Sequence, residues 1–158
     1  MYRAYVAWAL IVLLVGFGHR SSAAETPPAN PFARASFAIT LPAGAKTAKQ
    51  EGPDFDVYTV KWGQTGMLGI YEGCCPQTFL TGAAAEKSDI TINDLSVRQT
   101  TLRDGEHTSK EFYFDFKPEP GTNAFPFVVH AWYSDLDEAD AKTADEIFST
   151  IRRKPARR

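Results

Sequence analysis

The feature that most constrains this fold is a single helical pattern at the C-terminal end of a chain whose other apolar segments resemble β-strands. Four apolar residues recur there at the spacing i, i+3, i+4 and i+7: Ala144, Ile147, Phe148 and Ile151. Asp135 or Asp137 is positioned to cap this helix, and Pro155 follows its end. Because an amphipathic helix must bury its apolar stripe, we expect it to pack on the structure that the preceding segments form.

Six segments before the helix have the residue preferences or the two-residue period of β-strands. They are Ser36–Leu41, Asp54–Trp62, Met67–Glu72, Ile90–Arg103, His107–Phe116 and Phe125–Tyr133. Gly63–Gly66 and Asp104-Gly105 separate consecutive segments and are typical of hairpin turns. The sequence therefore predicts an α+β domain. Its sheet is a single antiparallel meander of about six strands, with the C-terminal amphipathic helix packed on one face.

Alternation also predicts which side chains share a face of the sheet. In the fifth segment Phe112, Phe114 and Phe116 are predicted to face the core, opposite Glu111 and Tyr113. The second segment divides in the same way: Phe55, Val57 and Thr59 oppose Asp54, Asp56 and Tyr58. The last segment is the most apolar run and is predicted to be an interior strand, and the stretch between Gly73 and Asp89 is predicted to hold one short helix.

The first 24 residues have the organisation of a secretory signal peptide. Arg3 precedes an uncharged run of 15 residues from Ala4 to Gly18, and small side chains precede Glu25. We expect cleavage between Ala24 and Glu25, which makes the mature protein periplasmic or secreted; an N-terminal membrane anchor is the alternative. The chain then divides into three parts: a Pro-rich linker at 25–34, the α+β domain at 35–153 and a basic tail at 154–158.

Charge and motifs exclude several classes of function. Between Glu25 and Ile151 the chain has 10 basic and 19 acidic residues, a net charge of −9, which does not suit binding to nucleic acid. The sequence lacks the phosphate-binding motifs of nucleotide sites and the G-x-S-x-G motif of hydrolases. We therefore predict neither a cofactor nor a catalytic residue, and a hydrolase whose site matches no known motif stays as a third hypothesis. Membrane contact is predicted only through a retained leader or the basic tail.

Cys74 and Cys75 are adjacent and are the only cysteines of the chain. Their Cα atoms are ~3.8 Å apart across a trans peptide, whereas an ordinary disulfide needs about 4.4–6.8 Å. Three interpretations stay open: free thiols in a turn before Pro76, a disulfide to a second chain, and a redox or soft-metal site. A Cys2His2 zinc site with His107 and His130 would need two ligands from adjacent residues, so no metal site is predicted.

Aromatic residues make up 13% of the chain and provide candidates for a ligand-binding face. Trp62, Tyr71 and Trp132 lie near strand ends or opposite the predicted core, so we interpret them as ligand-face candidates. His130 lies in the middle of a strand, where we expect a hydrogen-bonded structural histidine. His107 follows a turn, and we expect it to be solvated.

The two ends of the domain resemble the Mog1/PsbP-like class of small α+β domains. That class opens with a strand ending in Pro-x-Gly and closes with a strand followed by an amphipathic helix. The matching residues are Phe37, Leu41, Pro42 and Gly44 at the start, and Ile147, Ser149 and Ile151 in the helix. The resemblance covers about Ser36–Arg153 in outline. It implies an accessory or binding role rather than catalysis, and it assigns no functional residue.

The sequence thus predicts an exported, small, non-catalytic binding or accessory protein of the cell envelope. Its partner would be a protein or a small apolar ligand, bound on the sheet face that the C-terminal helix leaves open. The alternative is a thiol-based redox or soft-metal-handling protein that uses the Cys74-Cys75 pair.

Overall fold

A computed structural model describes residues 30–116 and 127–155 of the chain. The predicted signal peptide, its cleavage point and the first part of the predicted linker lie outside the described residues. So do residues 117–126 and residues 156–158 of the predicted tail.

The described residues form nine strands, one α-helix and one 3-10 helix. In chain order they are the 3-10 helix Pro31–Arg34, β1 Phe37–Ala38, β2 Lys46–Glu51, β3 Phe55–Trp62, β4 Gly66–Gly73, β5 Glu86–Ile92, β6 Leu95–Asp104, β7 His107–Phe116, β8 Phe127–Leu136, α1 Glu138–Ser149 and β9 Arg152–Arg153. Within this described part, β2 to β8 make a seven-stranded sheet in the order β2-β3-β4-β8-β7-β6-β5, and β1 pairs with β9.

The sheet confirms the α+β class with antiparallel strands and a C-terminal helix, and it corrects the predicted topology. A single meander of about six strands is wrong, because β8 returns to the middle of the sheet and pairs with both β4 and β7. Two meanders therefore lie side by side. The first contains β2, β3 and β4, and the second contains β5 to β8.

This topology forces one connection to cross the sheet. Four antiparallel pairings separate β4 from β5, so the two strands point the same way. A connection between parallel strands has to return from one end of the sheet to the other. Residues 74–85, which we call the crossing segment, make this passage on the face away from α1, where Phe79 lies against residues of β8.

The core lies between the sheet and α1. The four residues of the predicted apolar stripe are at most 4% exposed, which confirms their burial; three of them lie in α1, and Ile151 follows the end of the helix. The ring centroid of Phe148 lies 4.9 Å from that of Phe112 on β7 and 6.2 Å from that of Tyr133 on β8. Asp137 is the N-cap, and its side chain accepts a hydrogen bond of 2.8 Å from the amide of Asp140.

Among the described residues, no helix has the length and hydropathy needed to cross a membrane.

The two ends of the domain differ from the prediction. Pro31–Arg34, assigned from sequence to the linker, form the 3-10 helix and bury Phe32 in the core. Of the predicted strand Ser36–Leu41, only Phe37–Ala38 is paired, and its partner is Arg152–Arg153. These two arginines form β9, directly after the helix.

Turns account for two further corrections. The predicted strand Ile90–Arg103 is two strands, because Asn93 and Asp94 have φ values of 47° and 64° and form a two-residue hairpin turn. The short helix predicted before Asp89 does not form. Residues 74–85 contain no helix, and β5 begins at Glu86.

Candidate functional site

The sheet face away from α1, which we call the outer face, carries most of the residues that sequence analysis connected with function. Cross-strand pairing arranges its side chains in two rows. One row runs Val57, Tyr71, His130, Tyr113 and Arg98. The other runs Thr59, Gly69, Trp132, Glu111 and Thr100. The crossing segment covers the centre of both rows.

The three predicted ligand-face residues do not share a face. Tyr71 and Trp132 lie on the outer face and are partly buried. Trp62 lies on the opposite face, where its Nε1 donates a hydrogen bond of 3.0 Å to Asp140 Oδ1 of α1. Because Val60, two residues earlier in β3, is fully buried on that side, alternation places Trp62 beside the helix. Trp62 is therefore wrong as a member of the same ligand face.

An exposed apolar patch lies on the outer face. Met67 and Phe79 are, in the described part of the chain, the large hydrophobic side chains that are substantially exposed, at 49% each. The Phe79 ring centroid lies 5.1 Å from that of Trp132. The Trp132 indole in turn covers Gly69, where an added Cβ would lie 2.3 Å from Cζ2 of the indole. We call Met67, Tyr71, Phe79 and Trp132 the outer patch.

Two lysines border the outer patch. Lys46 lies directly opposite Lys61, which lies directly opposite Met67 on the next strand. Both lysines are exposed, and neither forms an ion pair with any residue that the structure describes. Like charges directly opposite each other on neighbouring strands destabilise a sheet. The pair therefore makes a local basic region on a domain whose net charge is negative.

Glu111 connects the crossing segment to the sheet. Its side chain is buried, and its Oε1 accepts hydrogen bonds from the backbone amides of Phe79 and Leu80, the second at 3.0 Å. Tyr113, two residues along β7, donates a hydrogen bond of 2.9 Å to Thr78 Oγ1. Burial raises the pKa of Glu111, and the two amide hydrogen bonds partly oppose that rise. These bonds fix the position of Phe79 before any partner arrives.

His130 lies inside a set of aromatic rings next to Glu111. Its ring stacks on Tyr113 with centroids 4.2 Å apart and 9° between the planes, and Phe79 and Trp132 lie 5.4 Å and 5.2 Å away. Burial lowers its pKa to about 4, so the ring is neutral at pH 7. The sequence predicted a hydrogen-bonded histidine here. That prediction is wrong for Nε2, because this atom is buried and has no hydrogen-bond partner among the described residues.

The arrangement of Glu111 and His130 supports a structural role for the pair. Glu111 Oε1 is 3.7 Å from His130 Nε2, which is longer than a hydrogen bond. Both side chains are about 1% exposed, and the carboxylate already accepts two backbone amides. A general base must be able to reach the proton that it removes. Here the crossing segment occupies that position, so the geometry favours positioning of Phe79 over proton transfer.

Alternation along the strand places Glu111 on its polar face, and this pattern did not reveal that Glu111 holds the crossing segment. One signal was available, because the uninterrupted apolar run of β8 predicted a strand that is buried on both faces. Something therefore had to cover the outer side of β8 and its neighbours. A carboxylate in the middle of the adjacent strand would then be buried and would need donors, which two backbone amides supply.

The cysteine pair lies at the start of the crossing segment. Both thiols are free and exposed, and their Sγ atoms are 2.9 Å apart. Cys74 Sγ lies 3.6 Å from Asp54 Oδ2, and the Cys75 amide donates a hydrogen bond of 3.4 Å to the Tyr71 hydroxyl. The hydrogen bond with Cys75 is the main reason that the pKa of Cys74 is raised to about 11. Within residues 30–116 and 127–155, no three metal-ligating side chains come together.

An open depression of about 270 Å³ lies beside the crossing segment. Its lining includes Pro76, Tyr113 and three charged side chains, Asp89, Arg98 and Asp115. Sites for small apolar ligands are enclosed mainly by hydrophobic and aromatic groups. The three charged side chains of this depression would suit a polar group, and the small apolar ligand that the sequence offered as one possible partner stays a prediction.

Comparison with protein-family models, with curated proteins and with solved structures finds no match to this chain. The Mog1/PsbP-like resemblance therefore stays a prediction from the two ends of the domain.

Proposed function

We propose that this protein is an exported, non-catalytic binding or accessory module of the cell envelope. Its outer patch would bind a segment of a partner protein that carries apolar and acidic side chains. The observation that supports this most directly is the placement of Met67 and Phe79. Both of the substantially exposed large hydrophobic side chains of the described residues lie on the outer face, Met67 two residues from Gly69 on β4 and Phe79 beside Trp132.

The construction of the patch favours recognition of a protein. Aromatic side chains and methionine are enriched in the buried centre of protein interfaces. Phe79 lies against Trp132 and is carried by a segment that Glu111 holds through two amide hydrogen bonds. A residue that is already ordered loses little conformational freedom when it binds, so more of its contact energy remains as affinity.

The charge around the patch favours an acidic partner segment. Lys46 and Lys61 extend the row that contains Met67, and they have no internal ion pair in the described residues. Charges at the rim of an interface steer association and select partners more than they add affinity. A partner that places carboxylates beside its apolar side chains would remove the repulsion between the two lysines.

The experiment is site-specific photo-cross-linking in the native envelope. A benzophenone amino acid replaces Phe79 in one variant, Met67 in a second and Lys142 in a third. Lys142 is the matched control because it is exposed on α1, on the other side of the sheet. We expect one polypeptide to cross-link at positions 67 and 79 and not at position 142.

Substitutions then test whether the same contact carries the affinity. Truncating an aromatic side chain at the centre of an interface typically costs about 2 kcal/mol or more, which is about 30-fold in Kd. We therefore expect Phe79→Ala to weaken binding by about that factor, and Lys61→Glu to slow association in low salt. Cross-linking that is equal at all three positions, or that captures a small molecule and no polypeptide, would contradict the proposal.

Export is tested separately. Intact-mass and N-terminal analysis of the protein from fractionated cells is expected to find a chain that begins at Glu25 in the envelope or the medium. A chain that retains Met1 and fractionates with the cytosol would refute the envelope assignment. It would leave the binding surface open to the same cross-linking test.

A further inference from the structure

The adjacent cysteines have a geometry that the binding surface does not explain. The two Sγ atoms converge to 2.9 Å, although neighbouring side chains on an extended chain point to opposite sides. Both thiols are exposed, so a reagent can reach them. Cys74 also lies within hydrogen-bond distance of a carboxylate oxygen of Asp54. Two sulfur atoms this close need little movement to become bonded.

We propose that Cys74 and Cys75 form a reversible dithiol–disulfide site that exchanges electrons with small-molecule or protein disulfides. Cys75 is the attacking sulfur and Cys74 the resolving sulfur. This assignment rests on Asp54, because Cys74 Sγ donates a hydrogen bond to Asp54 Oδ2 at 3.6 Å. A neighbouring carboxylate disfavours a thiolate at Cys74, which leaves Cys75 as the sulfur that attacks first.

The exchange is balanced without any group beyond the incoming disulfide. The thiolate of Cys75 attacks one sulfur of that disulfide, forms a mixed disulfide and releases the other half as a thiolate, which takes a proton from water. Cys74 then gives its proton to solvent, with Asp54 as the nearest acceptor, and attacks Cys75 Sγ. This second step releases the half of the incoming disulfide that was bonded to Cys75. The dithiol has lost two electrons and two protons, and the incoming disulfide has become two thiols.

The product would be readily reversible. Adjacent Cα atoms lie ~3.8 Å apart across the trans peptides found throughout the described residues, whereas ordinary disulfides need about 4.4–6.8 Å. A strained, exposed disulfide is more easily reduced than a structural one. The same strain would bend the backbone at Cys75, whose amide is bonded to the Tyr71 hydroxyl. Disulfide formation is therefore expected to disturb that hydrogen bond.

The first test uses the unmodified protein and a limiting amount of iodoacetamide, followed by fragment-ion localisation of the label between the two adjacent residues. The raised pKa of Cys74, about 11, and its hydrogen bond to Asp54 keep this thiol protonated at pH 7, so we expect most of the label on Cys75. Equal labelling, or more label on Cys74, overturns the assigned roles.

The second test adds oxidised glutathione. We expect the native chain to lose two hydrogens and to remain a monomer on a non-reducing gel. Reduced glutathione is expected to restore both thiols. Cys74→Ser is expected to stop at a lasting mixed disulfide with glutathione, because it lacks the resolving sulfur. A disulfide-linked dimer, or two thiols that stay unchanged, overturns the proposal. Because no partner is involved, these results are independent of the cross-linking at the outer patch.

Discussion

The buried imidazole of His130 makes the stability of this protein depend on pH in a direction that can be calculated. Burial lowers the pKa of His130 from 6.5 to about 4. The unfolded chain therefore binds a proton as the pH falls through 6.5, while the folded chain stays neutral until about pH 4. The contribution of His130 to the free energy of unfolding is fully present above pH 6.5, decreases between pH 6.5 and pH 4, and changes little below pH 4. The loss is about 2 kcal/mol at pH 5 and about 3 kcal/mol at pH 4.

The variant His130→Phe isolates this effect. A phenyl ring has no titrating proton and retains an aromatic face toward Tyr113, on which the imidazole stacks at 4.2 Å. We would measure the free energy of unfolding by denaturant titration at pH 7, 5 and 4. Whatever the absolute stability of the variant, the wild-type protein should lose about 3 kcal/mol more than the variant between pH 7 and pH 4.

Other titrating groups act in the opposite direction and are common to both proteins. Glu111 has a raised pKa, so its ionisation destabilises the folded chain as the pH rises above 4.5. The hydrogen bond that His107 donates to the Asp135 carboxylate is the main reason that the pKa of His107 is raised, so protonation of His107 stabilises the fold on the acid side. His107→Gln is the matched control and should leave the difference due to His130 intact. If wild type and His130→Phe lose the same free energy, His130 is not held neutral by burial.

Three further substitutions test the packing. Phe148→Ala should cost about 3–5 kcal/mol of stability in denaturant titration, because this core ring is fully buried; a loss below about 1 kcal/mol would contradict the core assignment. Glu111→Ala should speed hydrogen exchange at the amides of Phe79 and Leu80 by about tenfold or more, whereas Glu111→Gln keeps an acceptor; equal exchange in both variants would show that Glu111 does not hold the segment. Gly69→Ala should displace the indole above it, cost about 1–3 kcal/mol and alter tryptophan emission; an unchanged spectrum would refute that contact.

Where the periodicity is strong, the sequence predicted the fold well. The bounds of β7, the phenylalanine face of that strand and the capped helix are confirmed. The hairpin predicted at Asp104-Gly105 is also present, but its two turn residues are Gly105 and Glu106, and Asp104 ends β6. Each of these rests on local chemistry that the surrounding structure reinforces. By contrast, β2 was not predicted. Lys46–Glu51 has no apolar alternation, because it is an edge strand whose charged side chains discourage pairing with another chain.

In β3 the alternation favoured Phe55, Val57 and Thr59 as the core face, and the structure reverses that assignment. Tyr58 and Val60 are fully buried on the side of α1, while Phe55 and Val57 are only partly buried on the outer face. Both faces of this strand carry apolar groups, so alternation alone does not choose between them. The same ambiguity assigned Trp62 to the wrong face.

The candidate site was the least predictable part because it depends on one long-range pairing. When β8 inserts between β4 and β7, the connection from β4 to β5 has to cross the outer face. That passage buries Glu111 and His130 and brings the exposed Phe79 beside Trp132. A chain with the same strands in one meander would leave all of these groups in water. The crossing segment thus follows from the topology that completes the core, and it carries both Phe79 and the cysteine pair. Disrupting the contact between Glu111 and this segment should therefore weaken binding at the outer patch without removing any residue of the patch itself.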